Sequence, residues 1–283
     1  MGPRECDQIP EIPGDPKEIL AVTSGRRTFA FLGTGTSVGV PMIGCSCQVC
    51  LSSNPKNQRY RCAALLQTPR GNILIDTPPE IRLQLIREKV QSIEAVLFTH
   101  YHADHLHGLD DLRPLQIHGG GPVPLYCNDE VEARIRQAFS YAFPSPEVSP
   151  SKRGYLPLLN INHIDTDPFS VLGEEIIPIP LIHGEFKVLG FRLKGLAYCT
   201  DVNFIPPSSM ELLRGLDILV LDALRERPHP AHFSLKQALE VIAELKPAKA
   251  YLTHMSHDID HEEVQARLPA GVELAYDGLA LPF

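Results

Sequence analysis

The segment Thr-His-Tyr-His-Ala-Asp-His, residues 99–105, carries four potential metal ligands within six positions and follows the apolar run 95–98. His100 and His102 are two residues apart, so in an extended segment their side chains point to the same side and can share one ion. Asp104 and His105 follow on a turn or first helical turn, where they are offset toward a second ion. This spacing predicts a two-metal site with ions roughly 3.5–4 Å apart. The alternative, a histidine-rich surface loop, is disfavoured because imidazoles this close repel one another when protonated.

Four local residues cannot enclose two metals and still leave an open position for water, so further ligands must come from elsewhere. Three candidates each stand directly after an apolar run typical of a buried strand, namely His183, Asp201 and His254. A rigid sheet can present such strand-end side chains to a cleft. Any one of them alone is more often a structural residue, but their recurrence favours a site.

The segment 99–105 resembles the His-x-His-x-Asp-His motif of the metallo-β-lactamase superfamily, and within it the phosphodiesterase and tRNA-processing branch. The likeness extends from Thr28 to Phe283. It implies an α/β protein in which two mixed β-sheets are flanked by helices in an αββα sandwich. The resemblance further implies a first metal held by His100, His102 and His183, a second held by Asp104, His105 and His254, and Asp201 as the carboxylate that bridges both.

Two divalent ions lower the pKa of a shared water from 15.7 toward about 7, so a dimetal-bound hydroxide is the expected nucleophile. The resemblance implies that His232, which precedes a helical pattern beginning at Ser234, protonates the leaving oxygen; the alternative is a surface histidine beside a helix. Asp201 and His232 are therefore the expected catalytic residues. Asp76 and Asp222 end two further apolar runs, where they either orient metal-bound imidazoles or cap their strands.

Cys45, Cys47 and Cys50 lie in one loop, and three thiolates call for a fourth ligand to close a tetrahedral zinc site. His257 is the best candidate, because it stands three residues after His254 and one short segment can join the two sites. A closed site of this kind is structural. A reduced cluster without metal is disfavoured, since exposed neighbouring thiols oxidise readily. No role is assigned to the remaining cysteines, which are Cys6, Cys62, Cys127 and Cys199.

The cysteine site beside the dinuclear motif resembles the PhnP-type cyclic phosphodiesterases, which implies hydrolysis of 5-phosphoribosyl 1,2-cyclic phosphate or related small phosphodiesters. The cysteine loop is also similar to the B protein of pyrroloquinoline quinone biosynthesis, whose dinuclear motif is degraded. The tRNA 3′-processing endonucleases share the catalytic ligands but add a protruding arm, and region 115–181 shows no Gly- and Lys-rich arm. We therefore predict a dinuclear metal-dependent phosphodiesterase, with tRNA processing and a non-hydrolytic accessory role as alternatives. The predicted cofactors are two divalent ions, zinc or manganese with iron also compatible, and one structural zinc.

The charge balance of 26 basic against 34 acidic residues gives a formal net charge of −8, so no global positive field attracts nucleic acid. A small phosphodiester is the expected partner, and a homodimer is compatible with the sequence. No apolar run approaches the roughly 18–20 residues of a spanning helix, and the start of the sequence lacks the layout of a signal peptide, so we expect a cytoplasmic protein without a membrane partner. Arginine suits phosphate recognition, although any single arginine is more often solvated. The candidates are Arg82, Arg113, Arg225 and Arg227.

Residues 1–27 are rich in proline and charge and predict a flexible extension or a surface strap, whereas 28–283 show no break in composition and predict one hydrolase domain. Apolar runs between turn signals predict strands, and apolar residues at helical spacing predict helices. The predicted strands cover 28–33, 62–68, 72–77, 94–99, 123–127, 176–182, 187–193, 196–201, 217–224, 249–254 and 272–276. The predicted helices cover 79–89, 129–141, 208–213, 234–245 and 261–268.

Overall fold

A computed structural model of the chain describes residues 27–115, 121–143 and 156–283. The predicted extension therefore lies outside the described residues except for its last member, Arg27. The Arg27 guanidinium pairs with the carboxylate of Glu174 at 2.7 Å. The backbone carbonyl of Arg27 accepts a hydrogen bond from the amide of Phe283 at 3.1 Å. Arg27 thus packs against the folded part of the chain, one residue before the first strand.

Fourteen strands and six α-helices lie within the described residues. The strands are β1 (Thr28–Gly33), β2 (Ala63–Thr68), β3 (Gly71–Ile75), β4 (Ala95–Leu97), β5 (Val123–Cys127), β6 (Leu159–His163), β7 (Phe169–Val171), β8 (Glu174–His183), β9 (Phe186–Leu193), β10 (Leu196–Cys199), β11 (Ile218–Asp222), β12 (Lys249–Thr253), β13 (Val272–Leu274) and β14 (Ala280–Pro282). The helices are α1 (Ile81–Arg87), α2 (Ala103–Leu106), α3 (Asp129–Ala138), α4 (Pro207–Leu212), α5 (Leu235–Leu245) and α6 (His261–Gln265).

The strands form two seven-stranded sheets, in the orders β14-β1-β2-β3-β4-β5-β6 and β13-β12-β11-β10-β9-β8-β7. Each sheet is mixed. Strands β3 to β6 are parallel in the first sheet, and β10 to β13 are parallel in the second, while the remaining pairs are antiparallel. Because parallel strands bring their carboxyl ends to one edge, the residues that follow β10, β11 and β12 lie side by side.

The central core lies between the two sheets, where Phe31 and Ile75 of the first sheet share a buried cluster with Tyr198 and Val220 of the second. The ring of Phe29 lies 5.7 Å from that of Tyr198. Helices α1 and α3 cover the outer face of the first sheet, and α4 and α5 cover that of the second. The predicted αββα sandwich of two mixed sheets is confirmed.

Helix α5 shows why the sequence folds as it does. Ser234 and Gln237 form a capping box at its start, which satisfies two backbone groups that the first turn leaves open. Ala238, Ile242 and Leu245 follow at spacings of four and three residues and are buried, so one face of the helix packs on the second sheet. Within the described ranges no helix is both long and apolar enough to cross a membrane.

Three strands were not predicted, and each has a physical reason. Strand β6 reads Leu-Asn-Ile-Asn-His, lies at a sheet edge and has no fully buried residue, so its apolar content is low. Strands β7 and β14 have only three residues each, too few to show a period of two. The predicted helices and the other strands are present, with ends shifted by up to a few residues.

Candidate metal centre

The turn after β4 and the end of β8 bring three predicted ligands together. The ligand nitrogens of His100, His102 and His183 lie within 4.8 Å of one another. His100 and His102 follow strand β4 of the first sheet, whereas His183 is the last residue of β8 in the second sheet. The cluster therefore joins the two sheets. The rings of His100 and His102 are 4.6 Å apart, and those of His102 and His183 are 5.2 Å apart. Such a triad can hold one metal ion.

A second group lies beside the first and consists of Asp104, His105, Asp201 and His254, again with ligand atoms within 4.8 Å of one another. Asp201 Oδ2 is 3.2 Å from His105 Nε2, and Asp201 Oδ1 is 3.2 Å from His254 Nε2. The same Oδ1 is 3.9 Å from His183 Nε2 in the first group. Asp201 therefore lies between the two groups, the position expected of a bridging carboxylate.

Three residues at strand ends beside the centre have a left-handed backbone, although none of them is glycine. They are Asp76, with φ 64°, Asp201, with φ 54°, and His254, with φ 58°. Each directly follows its strand or stands one residue beyond it. This conformation costs about 1–2 kcal/mol for a residue with a Cβ, and such strain persists where packing fixes the geometry. The local backbone thus turns each of these side chains sharply at the strand end.

Several buried nitrogen atoms at the centre have no hydrogen-bond partner. They are Nε2 of His100, Nε2 of His105 and both ring nitrogens of His254. A buried polar atom without a partner costs about 1–3 kcal/mol, so clusters of them are rare without a reason. Metal ions accept these lone pairs, and imidazole with carboxylate is a donor set that suits zinc, manganese or iron. The residues present therefore fit a pair of divalent ions.

Hydrogen bonds behind the histidines fix which ring nitrogen faces the centre. The Thr99 hydroxyl donates to Asp76 Oδ2 at 2.7 Å and lies 2.9 Å from Nδ1 of His100. Asp76 Oδ2 also lies 2.8 Å from Nδ1 of His105. His183 Nδ1 donates to the carbonyl of Ala231 at 2.6 Å. In each of these histidines Nδ1 bonds to a residue outside the centre, so Nε2 faces the centre. This arrangement is typical of metal-binding imidazoles.

The charges at the centre shift the pKa values of its members. Burial opposes ionisation of Asp201, but the neighbouring charges of His254 and His105 hold its pKa well below the usual range. Burial likewise disfavours a charged His105, yet the carboxylates of Asp201, Asp104 and Asp76 raise its pKa well above the usual value. Burial and the positive charge of His105 lower the pKa of His100. Asp201 is therefore held as a carboxylate, and a buried carboxylate attracts cations.

The predicted proton donor lies next to both groups. The His232 ring is 4.5 Å from that of His183 and 4.6 Å from that of His254. Its Nδ1 lies 2.7 Å from Asp222 Oδ2. His254 Nδ1 lies 4.0 Å from Asp222 Oδ1, beyond hydrogen-bond distance. Asp222 therefore orients His232, whereas Asp76 orients His105.

The cysteine cluster forms a separate four-residue group. His257 Nδ1 lies 3.1 Å from Cys45 Sγ, 3.4 Å from Cys47 Sγ and 3.6 Å from Cys50 Sγ. Tetrahedral zinc with bonds of about 2.3 Å to sulfur and 2.0–2.1 Å to nitrogen places these atoms roughly 3.6 Å apart. The amide of Cys50 donates to Cys47 Sγ, a contact that favours a thiolate. The predicted Cys3His group is present, with its four ligand atoms within 4.8 Å of one another.

The four arginines proposed from the sequence have other contacts. Arg227 pairs with Asp258 at 3.2 Å, and Arg113 lies 3.9 Å from Asp110. The charge of Arg82 acts on Asp111. Arg225 and Arg227 belong to the loop that carries His232, and the Arg225 guanidinium donates to carbonyls of that loop.

The buried threonines of the centre were missed in the sequence. Thr200 donates to Asp201 Oδ2 at 2.7 Å, as Thr99 does to Asp76. The Thr253 hydroxyl lies 3.5 Å from Cys62 Sγ. A threonine precedes each of His100, Asp201 and His254, and this repeated pair was the signal that could have revealed them.

Comparison with known proteins places this geometry in a family. Residues 71–255 match the family described as the beta-lactamase superfamily domain. A solved structure described as a new diphosphatase from the PhnP family is 44% identical, covers 91% of this chain and 97% of that chain, and has a TM-score of 0.85. An octanoyltransferase of Porphyromonas gingivalis is 35% identical over 88% of this chain, and the chain spans 50% of the length of that relative. A ribonuclease Z of Clostridium kluyveri is 23% identical over 73% of this chain and 86% of that protein.

The family match covers most of the chain and includes the segment 99–105 and the strand-end residues up to His254. The two histidine and carboxylate groups and the Cys3His group agree with the metal dependence of that family. The chain belongs to the beta-lactamase superfamily and is a metal-dependent hydrolase related to the PhnP family.

Proposed function

We propose that the chain hydrolyses small phosphodiesters, cyclic phosphates among them, and that His232 supplies the proton to the leaving oxygen. The observation that carries this proposal is the position of His232, held by Asp222 and in ring contact with a member of each metal-binding group. A proton donor at this point lies beside any phosphoryl group held between the two groups. Hydrolysis of an alkyl ester of phosphate needs such a donor because an alkoxide leaves poorly.

The chain's own residues divide the work. We propose His100, His102 and His183 as ligands of one ion, with Asp104, His105 and His254 as ligands of the other and Asp201 as the bridge. When bound, two divalent ions polarise the phosphoryl oxygens and make water a better nucleophile. We propose zinc or manganese here, with iron also compatible, and zinc for the group of Cys45, Cys47, Cys50 and His257.

His232 has the bonding needed for a proton donor. Its Nδ1 faces the buried carboxylate of Asp222, so Nδ1 carries a hydrogen and Nε2 is left to exchange a proton with substrate. Asp222 Oδ2 also accepts the Val202 amide at 2.9 Å, which fixes the carboxylate. Asp222 thus sets the tautomer and the orientation of His232, as a buried acid does for a catalytic histidine.

A comparison of leaving groups tests the role of His232. The His232→Ala variant should lose about 10²–10³-fold in kcat on a diester with an alkoxide leaving group, such as a nucleoside 2′,3′-cyclic phosphate. Its loss on bis-(p-nitrophenyl) phosphate should be under tenfold, because p-nitrophenolate leaves without a proton. Asp201→Asn should lose activity on both substrates, since both need the ions. Equal losses for His232→Ala on the two substrates, or an active Asp201→Asn, would contradict the proposal.

A diphosphate bond is a second candidate substrate, favoured by the description of the 44% identical PhnP-family structure as a diphosphatase. The same phosphoryl chemistry serves both bonds, because each presents a phosphorus atom with an oxygen leaving group. A turnover screen with cyclic nucleotides, a dinucleoside diphosphate and precursor tRNA on one metal-quantified preparation separates them. Binding of precursor tRNA at low salt in a gel shift would favour tRNA processing. Fewer than two ions per chain beyond the structural zinc, with no turnover, would favour a non-hydrolytic accessory role.

A further inference from the structure

The turn between β8 and β9 carries an exposed aromatic ring beside the candidate metal centre. The turn consists of two residues, Gly184 and Glu185, and it places Phe186 directly opposite His183 in the register of the two antiparallel strands. Residues directly opposite each other in such a pair have their side chains on the same face of the sheet. Phe186 therefore lies on the same face as a candidate metal ligand.

Hydrogen bonds on two sides fix the backbone around this ring. The amide of Gly184 donates to Asn203 Oδ1 at 2.7 Å, at a glycine whose φ of 62° is left-handed. The amide of Leu189 donates to the carbonyl of Thr99 at 2.9 Å, which ties strand β9 to the residue before His100. Phe186 thus belongs to a strand that is bonded to the segment carrying the metal ligands.

The neighbours of Phe186 leave it open to a flat ligand. Its ring centre lies 5.4 Å from that of His102 and 6.1 Å from that of Tyr101, with interplanar angles of 83° and 85°. Neither neighbour is parallel to Phe186, so neither of them covers a face of the ring as a stacked ring does. The guanidinium of Arg134 lies 5.1 Å from the centre of the Tyr101 ring and holds Tyr101 from helix α3. Since Phe186 is 43% exposed, a ligand at the metal centre can reach it.

The chemistry of a phenyl ring narrows what Phe186 can bind. The ring has no hydrogen-bond donor, so it does not hold a phosphate oxygen. Its flat apolar face binds another flat ring in an offset stack, and stacking of a nucleobase on an aromatic side chain is worth about tenfold or more in affinity. In a nucleoside cyclic phosphate only the ribose separates the base from the phosphorus. A phosphoryl group held beside His102 therefore brings a base within reach of Phe186.

We propose that Phe186 stacks on the nucleobase of the substrate and so makes the chain selective for nucleoside cyclic phosphates over cyclic phosphates that carry no aromatic ring. This inference rests on the proposed function, since it names the organic group that accompanies the scissile phosphodiester. His183 and Phe186 then act as a pair across one turn, in which the first binds an ion and the second binds the base.

Two substrates with the same five-membered cyclic diester test this inference. They are adenosine 2′,3′-cyclic phosphate and glycerol 1,2-cyclic phosphate, and both have an alkoxide leaving group. The wild-type protein should show a kcat/KM about tenfold higher for the adenosine compound, because only this compound has a ring to stack. A ratio taken on one preparation does not depend on how much of the protein is folded.

Two variants separate the flat ring from apolar bulk. Phe186→Leu keeps an apolar side chain of similar size but has no flat face, whereas Phe186→Tyr keeps the ring. The preference for the adenosine compound should fall to within twofold of unity in Phe186→Leu and should persist in Phe186→Tyr. A preference carried by apolar contact alone would persist in both variants.

A fluorescence measurement detects the stack without turnover. The chain contains no tryptophan, so Phe186→Trp introduces a single indole at this position. On the metal-loaded protein, adenosine 3′-phosphate should quench its emission with a saturable curve, and glycerol 1-phosphate, which carries the same charge, should not. Leu83→Trp is the matched control, because Leu83 is 46% exposed on helix α1 at the outer face of the first sheet. Its emission should respond to neither compound.

The outcomes distinguish the two proposals. Turnover of neither cyclic phosphate would overturn the proposed function and the selectivity that rests on it. Turnover of both without a preference, or a preference that persists in Phe186→Leu, would overturn the role of Phe186 alone. The same holds if adenosine 3′-phosphate leaves the emission of Phe186→Trp unchanged, or quenches Leu83→Trp equally.

Discussion

Asp222 Oδ2 lies 2.7 Å from His232 Nδ1 and accepts the amide of Val202 at 2.9 Å. The carboxylate is fully buried at the end of β11, so its charge acts in a medium that screens little. One backbone amide thus fixes the acid, and the acid fixes the histidine. The proposed proton donor is thus positioned by strand β11, whereas its neighbours His183 and His254 come from the ends of β8 and β12.

The Asp222→Asn variant tests this relationship. Because the amide has no charge to orient an Nδ1–H donor, we expect kcat on alkyl phosphodiesters to fall by about 10²-fold, with KM changing little. Steady-state kinetics measure this fall. The ion content by mass spectrometry should stay at the wild-type value, because His254 lies 4.0 Å from this carboxylate, beyond hydrogen-bond distance. A variant that loses an ion together with its activity would show that Asp222 acts on His254 instead.

Thr99 is predicted to tune the affinity for the ions. Its hydroxyl links Asp76 to His100, and Asp76 in turn holds His105, so one hydroxyl supports a histidine in each group. Thr99→Val keeps the shape and removes the hydroxyl, and we expect a loss of about 10–100-fold in affinity for the weaker ion. Chelator competition measures this affinity. Thr99→Ser restores the hydroxyl and should recover most of it; equal affinities for the Val and Ser variants would exclude this role.

Removing one thiolate should separate the two kinds of metal site. In Cys50→Ala the zinc content should fall by one ion per chain while the other two ions and their chemistry remain. The loss of a few kcal/mol of metal-linked stability corresponds to a fall in Tm on the order of 10 °C. Cys127→Ala, at a buried cysteine in the core, is the control and should keep the full ion count. A Cys50→Ala protein with unchanged zinc would show that this cluster does not hold a metal.

The residues predicted for the site all lie in groups that can hold a metal ion, whereas several sheet edges were not predicted, for a physical reason. The candidates His183, Asp201 and His254 are polar residues at the end of an apolar run, and that contrast is visible without knowledge of the fold. Strands β6, β7 and β14 lack it because they are short or partly exposed and are defined by pairing with neighbours. The contact between His229 and Ala231 exists only because the loop between β11 and α5 is closed. Local pattern thus predicts the ligands, whereas long-range pairing and loop closure decide what surrounds them.

His261 gives the fold a dependence on pH that is separate from catalysis. It is the first residue of α6 and is 3% exposed, and its Nδ1 has no hydrogen-bond partner. Burial lowers its pKa to about 4, and the charges of Lys56 and Arg59 act in the same direction. The unfolded chain has an ordinary histidine there, with a pKa of about 6.5. As the pH falls below about 6.5, the unfolded state therefore takes up a proton that the folded state takes up only near pH 4.

This difference has a definite sign. The stability that a neutral His261 contributes is complete above about pH 6.5 and is lost as the pH falls through about 4, and the loss reaches up to about 3 kcal/mol because one pKa unit corresponds to about 1.4 kcal/mol. Urea unfolding between pH 7 and 4 measures the free energy of unfolding. His261→Gln has no proton to gain, so its curve should be flatter than the wild-type curve by that amount. The cysteine cluster is the same in both proteins, so its contribution cancels in the difference. Parallel curves would mean that His261 has the same protonation in the folded and the unfolded state.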